Sequence, residues 1–269
     1  MSYCSGAVLS LALLGLAGGA FAAEGVKGAN NQISLSVGKE KISYTETADG
    51  NWFNSENGRI NQARIVYTLQ GDFAGVREVY FQGVFGYGKG RTNYDGALMY
   101  ADGSTTPYQA RTRVTNSDVG IRLGKAFGLG SRVQLTPFAA YDYHQWERDL
   151  AGEDDAGYKE VYDHHALSVG LLGQLALTDR LVASAWASRG KMIRARMEYE
   201  HDTTFRLKSK PVTSWGIGLD YRVNEQFRVN AGYQENRFSY GQSPVESGMY
   251  EPDSETRLKS WYMGAGYAF

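Results

Sequence analysis

The chain predicts an all-β fold, a single closed antiparallel transmembrane β-barrel of ten strands with short turns at one end and five longer loops at the other. Three observations carry this. Ten segments repeat a two-residue alternation of apolar and polar side chains, the period of a strand whose two faces meet different surroundings. Their connections alternate between short and long, four short and five longer. Mid-strand positions on the polar face hold Arg, Asp, Glu and Gln, as a wet lumen would, while the apolar face carries aromatics near strand ends, as interface girdles would.

Composition agrees. The hydrophobic fraction is 42% and the formal net charge is −1, which fits neither a helical membrane protein nor a basic nucleic-acid binder. Thirty-three glycines and 19 tyrosines suit many turns and aromatic girdles. The single cysteine, Cys4, lies at the extreme N-terminus, so no disulfide or thiol chemistry is expected beyond it.

The first element is a leader. Ala7–Leu16 is an apolar run too short to span a bilayer, and Ala20-Phe21-Ala22 fits the small-x-small rule of signal-peptide cleavage, although no Lys or Arg precedes the run. The expected division is a signal peptide over 1–22 and a barrel domain over 23–269, which is 269 − 22 = 247 residues.

Strand one runs from about Asn31 to Glu46, with Ile33, Leu35 and Val37 on one face. Near Gly38–Lys41 the apolar phase moves to Ile42 and Tyr44, which predicts a bulge. A polar loop over Thr47–Gly58, containing the turn signal Asn57-Gly58, leads to strand two at Arg59–Gln70, where Ala63, Ile65, Tyr67 and Leu69 face outward. Strand three follows a turn near Gly71–Gly75 and carries Val79, Phe81, Phe85 and Tyr87. The longest loop is placed at Lys89–Ala110, with a second turn signal at Asp102-Gly103.

Strand four turns Val119, Ile121 and Leu123 outward, and Asp118 and Arg122 inward. After a turn at Gly128–Ser131, strand five alternates Val133, Leu135, Ala139, Tyr141 and Tyr143 with polar residues. A charged loop over Arg148–Lys159 precedes strand six, marked by Leu167, Val169, Leu171 and Leu175. Strand seven follows Thr178-Asp179-Arg180 and runs to about Glu200, with Ile193, Ala195, Met197 and Tyr199 read as outward against Arg194, Arg196 and Glu198 inward. Beyond His201–Thr204, strand eight shows Trp215, Ile217, Leu219 and Tyr221 opposite Asp220 and Arg222. Strand nine, after Asn224–Gln226, shows Phe227, Val229, Ala231 and Tyr233 opposite Arg228. The loop Gly241–Glu255 delivers the chain to its last strand.

That last strand ends Trp261-Tyr-Met-Gly-Ala-Gly-Tyr-Ala-Phe269, apolar at alternate positions and closing on an aromatic. It resembles the C-terminal assembly signal of bacterial outer-membrane β-barrels. The resemblance implies the cell outer membrane, contact with outer-membrane lipid and lipopolysaccharide, and the barrel-assembly machinery as a partner through the strand ending at Phe269. Six basic residues near the outer rim (Lys159, Arg189, Lys191, Lys208, Lys210 and Lys259) suit lipopolysaccharide phosphates.

Ten strands enclose little more than their own side chains, so the inward charges are expected to pair, and a filled lumen or a narrow conduit are both open. A wide porin is excluded by length. In size and strand count the chain also resembles the omptins, ten-stranded outer-membrane proteases. That resemblance implies an Asp-x-Asp pair at one rim position facing an Asp-x-His pair. Here Asp95 stands in Asn93-Tyr-Asp-Gly-Ala97 with Ala97 at the second acid position, and His201 follows Tyr199, which replaces the acid. Each pair is half present, with Glu198, Glu200 or Asp202 as substitutes.

His144, His164 and His165, with Asp142, Asp163 and Glu147, form either a metal or pH-sensing cluster or ordinary rim pairs. No Ser-centred nucleophile elbow, phosphate loop or metal-protease helix motif occurs, and no cofactor, resident metal or nucleic-acid partner is expected. The function reads as a structural, surface-interaction or adhesin-like role carried by the extracellular loops, with an omptin-like surface protease or a narrow channel as alternatives.

Overall fold

A computed structural model describes residues 24–48, 50–99, 104–150, 157–246 and 248–269. The leader lies outside these residues, as does the Asp102-Gly103 signal. A short helix α1 (Glu24–Ala29) is followed by β1 (Gln32–Ala48), β2 (Asn51–Phe73), β3 (Val76–Met99), β4 (Thr105–Lys125), β5 (Phe127–Leu129) and β6 (Val133–Asp149). Then come β7 (Lys159–Ala176), β8 (Leu181–Tyr199), β9 (Thr203–Arg206), β10 (Lys208–Arg222), β11 (Phe227–Gly241) and β12 (Asp253–Ala268).

These twelve segments make ten staves. β5 prolongs β4 past Ala126 along β6, and only Leu207, whose N–H donates to Ala195 O, separates β9 from β10 along β8. Every neighbour is antiparallel. The circuit closes where Gln32 meets Ala268 and where β8 meets β10. A closed barrel leaves no unpaired edge, which is why strands as long as 24 residues need no edge protection. No helix among the described residues is long and apolar enough to cross a membrane.

The outward face of the half nearest the termini is continuously apolar. Leu35, Val37, Ile65, Phe85, Ile121, Leu167, Val169, Ile217, Val229 and Met263 are all exposed. Such a belt is unfavourable against water and favourable against hydrocarbon. Aromatics line both margins. Trp215, Tyr233 and Trp261 form a chain with centroids 5.2 Å apart at each step, and Tyr67 stacks on Phe269 at 5.6 Å on the other margin.

Above the outer margin the polarity inverts, with an unbroken register in β1 against β12 and with register shifts in β8 and β10. Ile42, Tyr44, Ile60, Val114, Trp146, Tyr162, Phe238, Tyr240 and Leu258 point into the barrel and form its largest buried core. The outer half therefore behaves as a water-soluble barrel, apolar inside, standing on a membrane barrel that is apolar outside. The expected bulge at Gly38–Lys41 is absent, since β1 keeps an unbroken register with β12 from Gln32 to Thr47. The change of phase at Ile42 marks the exit from the lipid.

The same inversion corrects two further expectations. Much of the long outer loops is strand: β2 already runs at Asn51, which puts Asn57-Gly58 mid-strand, and β3 and β4 pair from Met99↔Thr105 downward. In β8 a register shift at Ile193, beside His165/Ala166, turns Ala195 and Met197 inward, so Arg194, Arg196 and Glu198 do not line the lumen. Arg196 instead pairs with Asp163 at 2.5 Å.

Candidate functional site in the extracellular half

The inner phase of β6 places Trp146 and then Arg148 on the barrel axis. Arg148, read from sequence as the start of a loop, is 1% exposed and holds the outer core together. Its Nε donates to Glu56 Oε2 and its Nη1 to Glu160 Oε2, both at 2.8 Å, and Glu46 Oε1 lies 3.7 Å from Nη1. The guanidinium also lies over the rings of Tyr44 and Trp146, 4.8 and 5.0 Å from their centroids. A planar fork with several donors suits this position better than a lysine would.

A second tier surrounds the arginine. The connection between β11 and β12 folds back through two bonds between Ser243 and Glu251, each 2.9 Å, and carries Glu251 inward. The Glu251 carboxyl lies 2.6 Å from the Tyr162 hydroxyl. Tyr44 and Asn54 both donate to Glu46, and Thr92 donates to Glu56. Four buried glutamates thus share one arginine, an excess of acid that burial cannot leave fully ionised. Burial, against the pull of Arg148, pushes the Glu160 carboxyl up to about 7. Burial, then the charges of Glu46 and Glu160, drives Glu251 well above the usual carboxylate range. Burial also works against the Arg148 charge, yet Glu56 and Glu160 outweigh it and hold its pKa well above the ordinary arginine value.

The predicted histidine cluster is split: His144 and His164 are buried cross-strand partners with ring centroids 5.3 Å apart, while His165 stands on the other face of β7. His144 Nδ1 meets Asp118 at 2.7 Å, His164 Nδ1 meets the Tyr240 hydroxyl at 2.8 Å, and His165 Nδ1 meets the Tyr141 hydroxyl at 2.6 Å. Among the described residues no group of three or more His, Cys, Asp or Glu could hold a metal ion.

Asp95 sits on the outward face of β3 between the inward Tyr94 and Gly96, and accepts a hydrogen bond from Gln109 at 3.2 Å. His201 occupies the turn between β8 and β9 with φ 61°, its Nδ1 2.7 Å from Glu198 Oε1. Their hydrogen-bond partners are therefore different, and β4, β6 and β7 stand between their strands.

Below the outer core the lumen holds two small polar cavities of about 150 and 90 Å³, with Arg64, Arg122 and Trp186 lining both. Arg122 lies 3.8 Å from the Trp186 ring centroid, and Arg64 4.7 Å from that of Tyr262. At the end bearing the termini, α1 closes the mouth. Val26 and Ala29 pack on Ala176 and Val182, Asn30 donates to Gln70 and Gln174, and Lys27 pairs with Glu78 at 3.0 Å. Arg228 pairs with Asp220 just above, as expected of inward charges.

Neither a protein-family model nor a curated protein sequence matches the chain. Solved structures do. The outer membrane protease OmpT of Escherichia coli is 14% identical, covers 88% of this chain and 95% of its own, and superposes with a TM-score of 0.56. The P. putida toluene transporter TodX is 11% identical over 91% of each chain with a TM-score of 0.36. Ail, the attachment invasion locus protein of Yersinia pestis, is 12% identical over 89% of this chain and 99% of its own, with a TM-score of 0.34. At these identities the likeness is one of fold. The closed ten-stave barrel, its apolar belt and its girdles define an outer-membrane β-barrel of omptin size. Its place is the cell outer membrane.

Proposed function

We propose that this barrel is a non-conducting outer-membrane protein whose role is surface interaction, structural or adhesin-like, presented by the strand extensions above the membrane. The observation that carries this reading is the filled outer lumen. The aromatic core and the Arg148 cluster occupy the axis on one side, α1 occupies the other mouth, and the space between them holds the small cavities of about 150 and 90 Å³ lined by Arg64, Arg122 and Trp186. A conduit for even a small solute would require several buried, hydrogen-bonded residues to leave together. The refolded barrel in a planar bilayer is therefore expected to give no conductance steps, and reproducible steps would end this reading. Outer-membrane lipid, lipopolysaccharide, and the assembly machinery meeting the strand that ends at Phe269 are the partners the reading includes.

A second reading, omptin-like proteolysis, has one observation in its favour. Glu198 holds His201 through Nδ1, the way a carboxylate orients a histidine base. Asp95 would be its acidic counterpart, but it faces away from the barrel axis. The expected outcome on peptides with paired basic residues is no cleavage by the parent protein. Cleavage that disappears in His201→Ala while the barrel stays folded would reverse the order of the two readings.

A further inference from the structure

Two of the inward arginines, Arg148 and Arg228, are bonded to carboxylates. Arg64 and Arg122 are not: among the described residues neither donates a hydrogen bond to a protein acceptor, and what each touches is the face of a ring. Arg122 lies 3.8 Å from the Trp186 centroid and 5.1 Å from that of Phe138, and Arg64 lies 4.7 Å from that of Tyr262. A guanidinium carries its N–H groups in its own plane, so a ring against its face leaves the forked donors open. Both side chains line the two lumen cavities. Their chain neighbours Ile65, Ile121 and Leu123 are exposed on the apolar belt, which puts both charges at membrane depth.

Three carboxylates border the same space. Asp220 accepts from Arg228 and from Gln32, and Asp118 meets His144 at 2.7 Å. Asp142 bonds to neither arginine and lines the cavity on the Arg148 side alone. The larger cavity, on the α1 side, has Asp220 as the only acid in its wall, and that acid is already held. The polar wall there is otherwise neutral and rich in donors, among them Ser34, Thr68, Gln82, Asn230 and Gln234. A charge walled by lipid is far less screened than one at the surface, and donors left without an acceptor at that depth are costly. Two open forks and a ring of neutral donors around one cavity therefore favour an anion inside it.

We infer that the α1-side cavity binds one small tetrahedral oxyanion, phosphate or sulfate, through Arg64 and Arg122. Such an ion has oxygens enough to accept from both forks and from the neutral donors, whereas a monocarboxylate has two oxygens and satisfies a single fork. Trp186 and Tyr262 hold the two forks in place from behind. At about 150 Å³ the space takes a small ion with its waters and excludes larger solutes. Ala29 and Asn30 form part of its wall, so the way in runs past α1, held by Val26 and Ala29 on Ala176 and Val182 and by the Asn30 bonds. The Arg148 cluster closes the far end. The site is a blind pocket, consistent with a barrel that does not conduct.

The test is isothermal titration calorimetry of the full barrel, refolded in a non-ionic detergent, with inorganic phosphate, sulfate, acetate and chloride at one fixed ionic strength. Expected are one phosphate or sulfate per barrel and at least about tenfold weaker binding of acetate and chloride. Arg64→Gln with Arg122→Gln should weaken phosphate binding by at least the same factor. Arg189→Gln with Lys191→Gln, exposed on the outer face of β8, should leave it unchanged. No saturable uptake of phosphate or sulfate overturns the inference, as does equal affinity for acetate, undiminished binding in the folded Arg64/Arg122 variant, or an equal loss in both variants. If the Arg64/Arg122 variant does not fold, Arg64→Gln alone, which keeps Arg122 on Trp186, and the ranking of anions on the parent decide.

Discussion

Arg148→Ala is expected to cost the barrel about 3–5 kcal/mol, the range seen when one partner of a buried ion network is removed. The arginine is the cation at 2.8 Å from two buried carboxylates, and its removal leaves Glu56 and Glu160 facing each other and Glu46 in a water-poor core. The guanidinium also fills space against Tyr44 and Trp146, so a cavity term adds to the electrostatic one. The loss should concentrate in the outer half, because the belt and the α1 closure share no side chain with this cluster. Guanidinium unfolding in micelles reads the total, and protease accessibility of the β11–β12 connection reads its location. Replacing the ionic set together, with Arg148→Met, Glu56→Gln and Glu160→Gln, should recover much of the loss, since an apolar substitute for a buried network is often neutral. A drop below about 1 kcal/mol for Arg148→Ala would mean that the aromatic core alone holds this region.

The membrane half of the fold was legible in the sequence because lipid imposes a simple rule. Leu35, Ile121, Leu167 and Met263 alternate with small or polar residues, and that alternation has one meaning when the strand is embedded. The strand count, the short turns and the pairing of the last strand with the first all follow from it. Above the belt the rule reverses, and alternation alone cannot say which face is inner. Ile42 and Tyr44 then look like a bulge, and Ala195 and Met197 like lipid-facing residues. The signal was present nonetheless: Ile42, Ile60, Val114, Trp146, Tyr162, Phe238 and Leu258 each fall out of phase with the apolar run in their own strand. Read together, these phase changes draw the outer membrane surface around the barrel.

The Arg148 cluster was hidden for a different reason. Its members come from β1, β2, β6, β7 and the β11–β12 connection, and no local pattern links Glu46, Glu56, Glu160 and Glu251 to one arginine. Only register brings them to one height.

The excess of acid around Arg148 makes an unusual dependence on pH the second large expected effect. Glu160 has an ordinary value of 4.5 and is pushed up to about 7 in the folded barrel. Between those values the folded chain keeps a proton that the unfolded chain has released. The folded state therefore binds more protons, and unfolding free energy falls as pH rises. The stabilisation is fully present below about pH 4.5 and is lost as pH passes 7, the reverse of a carboxylate held low by a salt bridge. The span corresponds to about 3 kcal/mol. Glu251, also driven upward by burial, adds a contribution of the same sign. Guanidinium midpoints taken at pH 5, 6, 7 and 8 should decline steadily for the parent. Glu160→Gln keeps an oxygen for Arg148 Nη1 but removes the titration, so its profile should be flatter, and at pH 8 it should match or exceed the parent. Parallel slopes for the two proteins would show that Glu160 does not govern the response. The direction of the slope has a structural meaning: with Glu160 and Glu251 protonated, two carboxyls rather than four share the single arginine, so the excess of acid in the extracellular half is smallest at low pH.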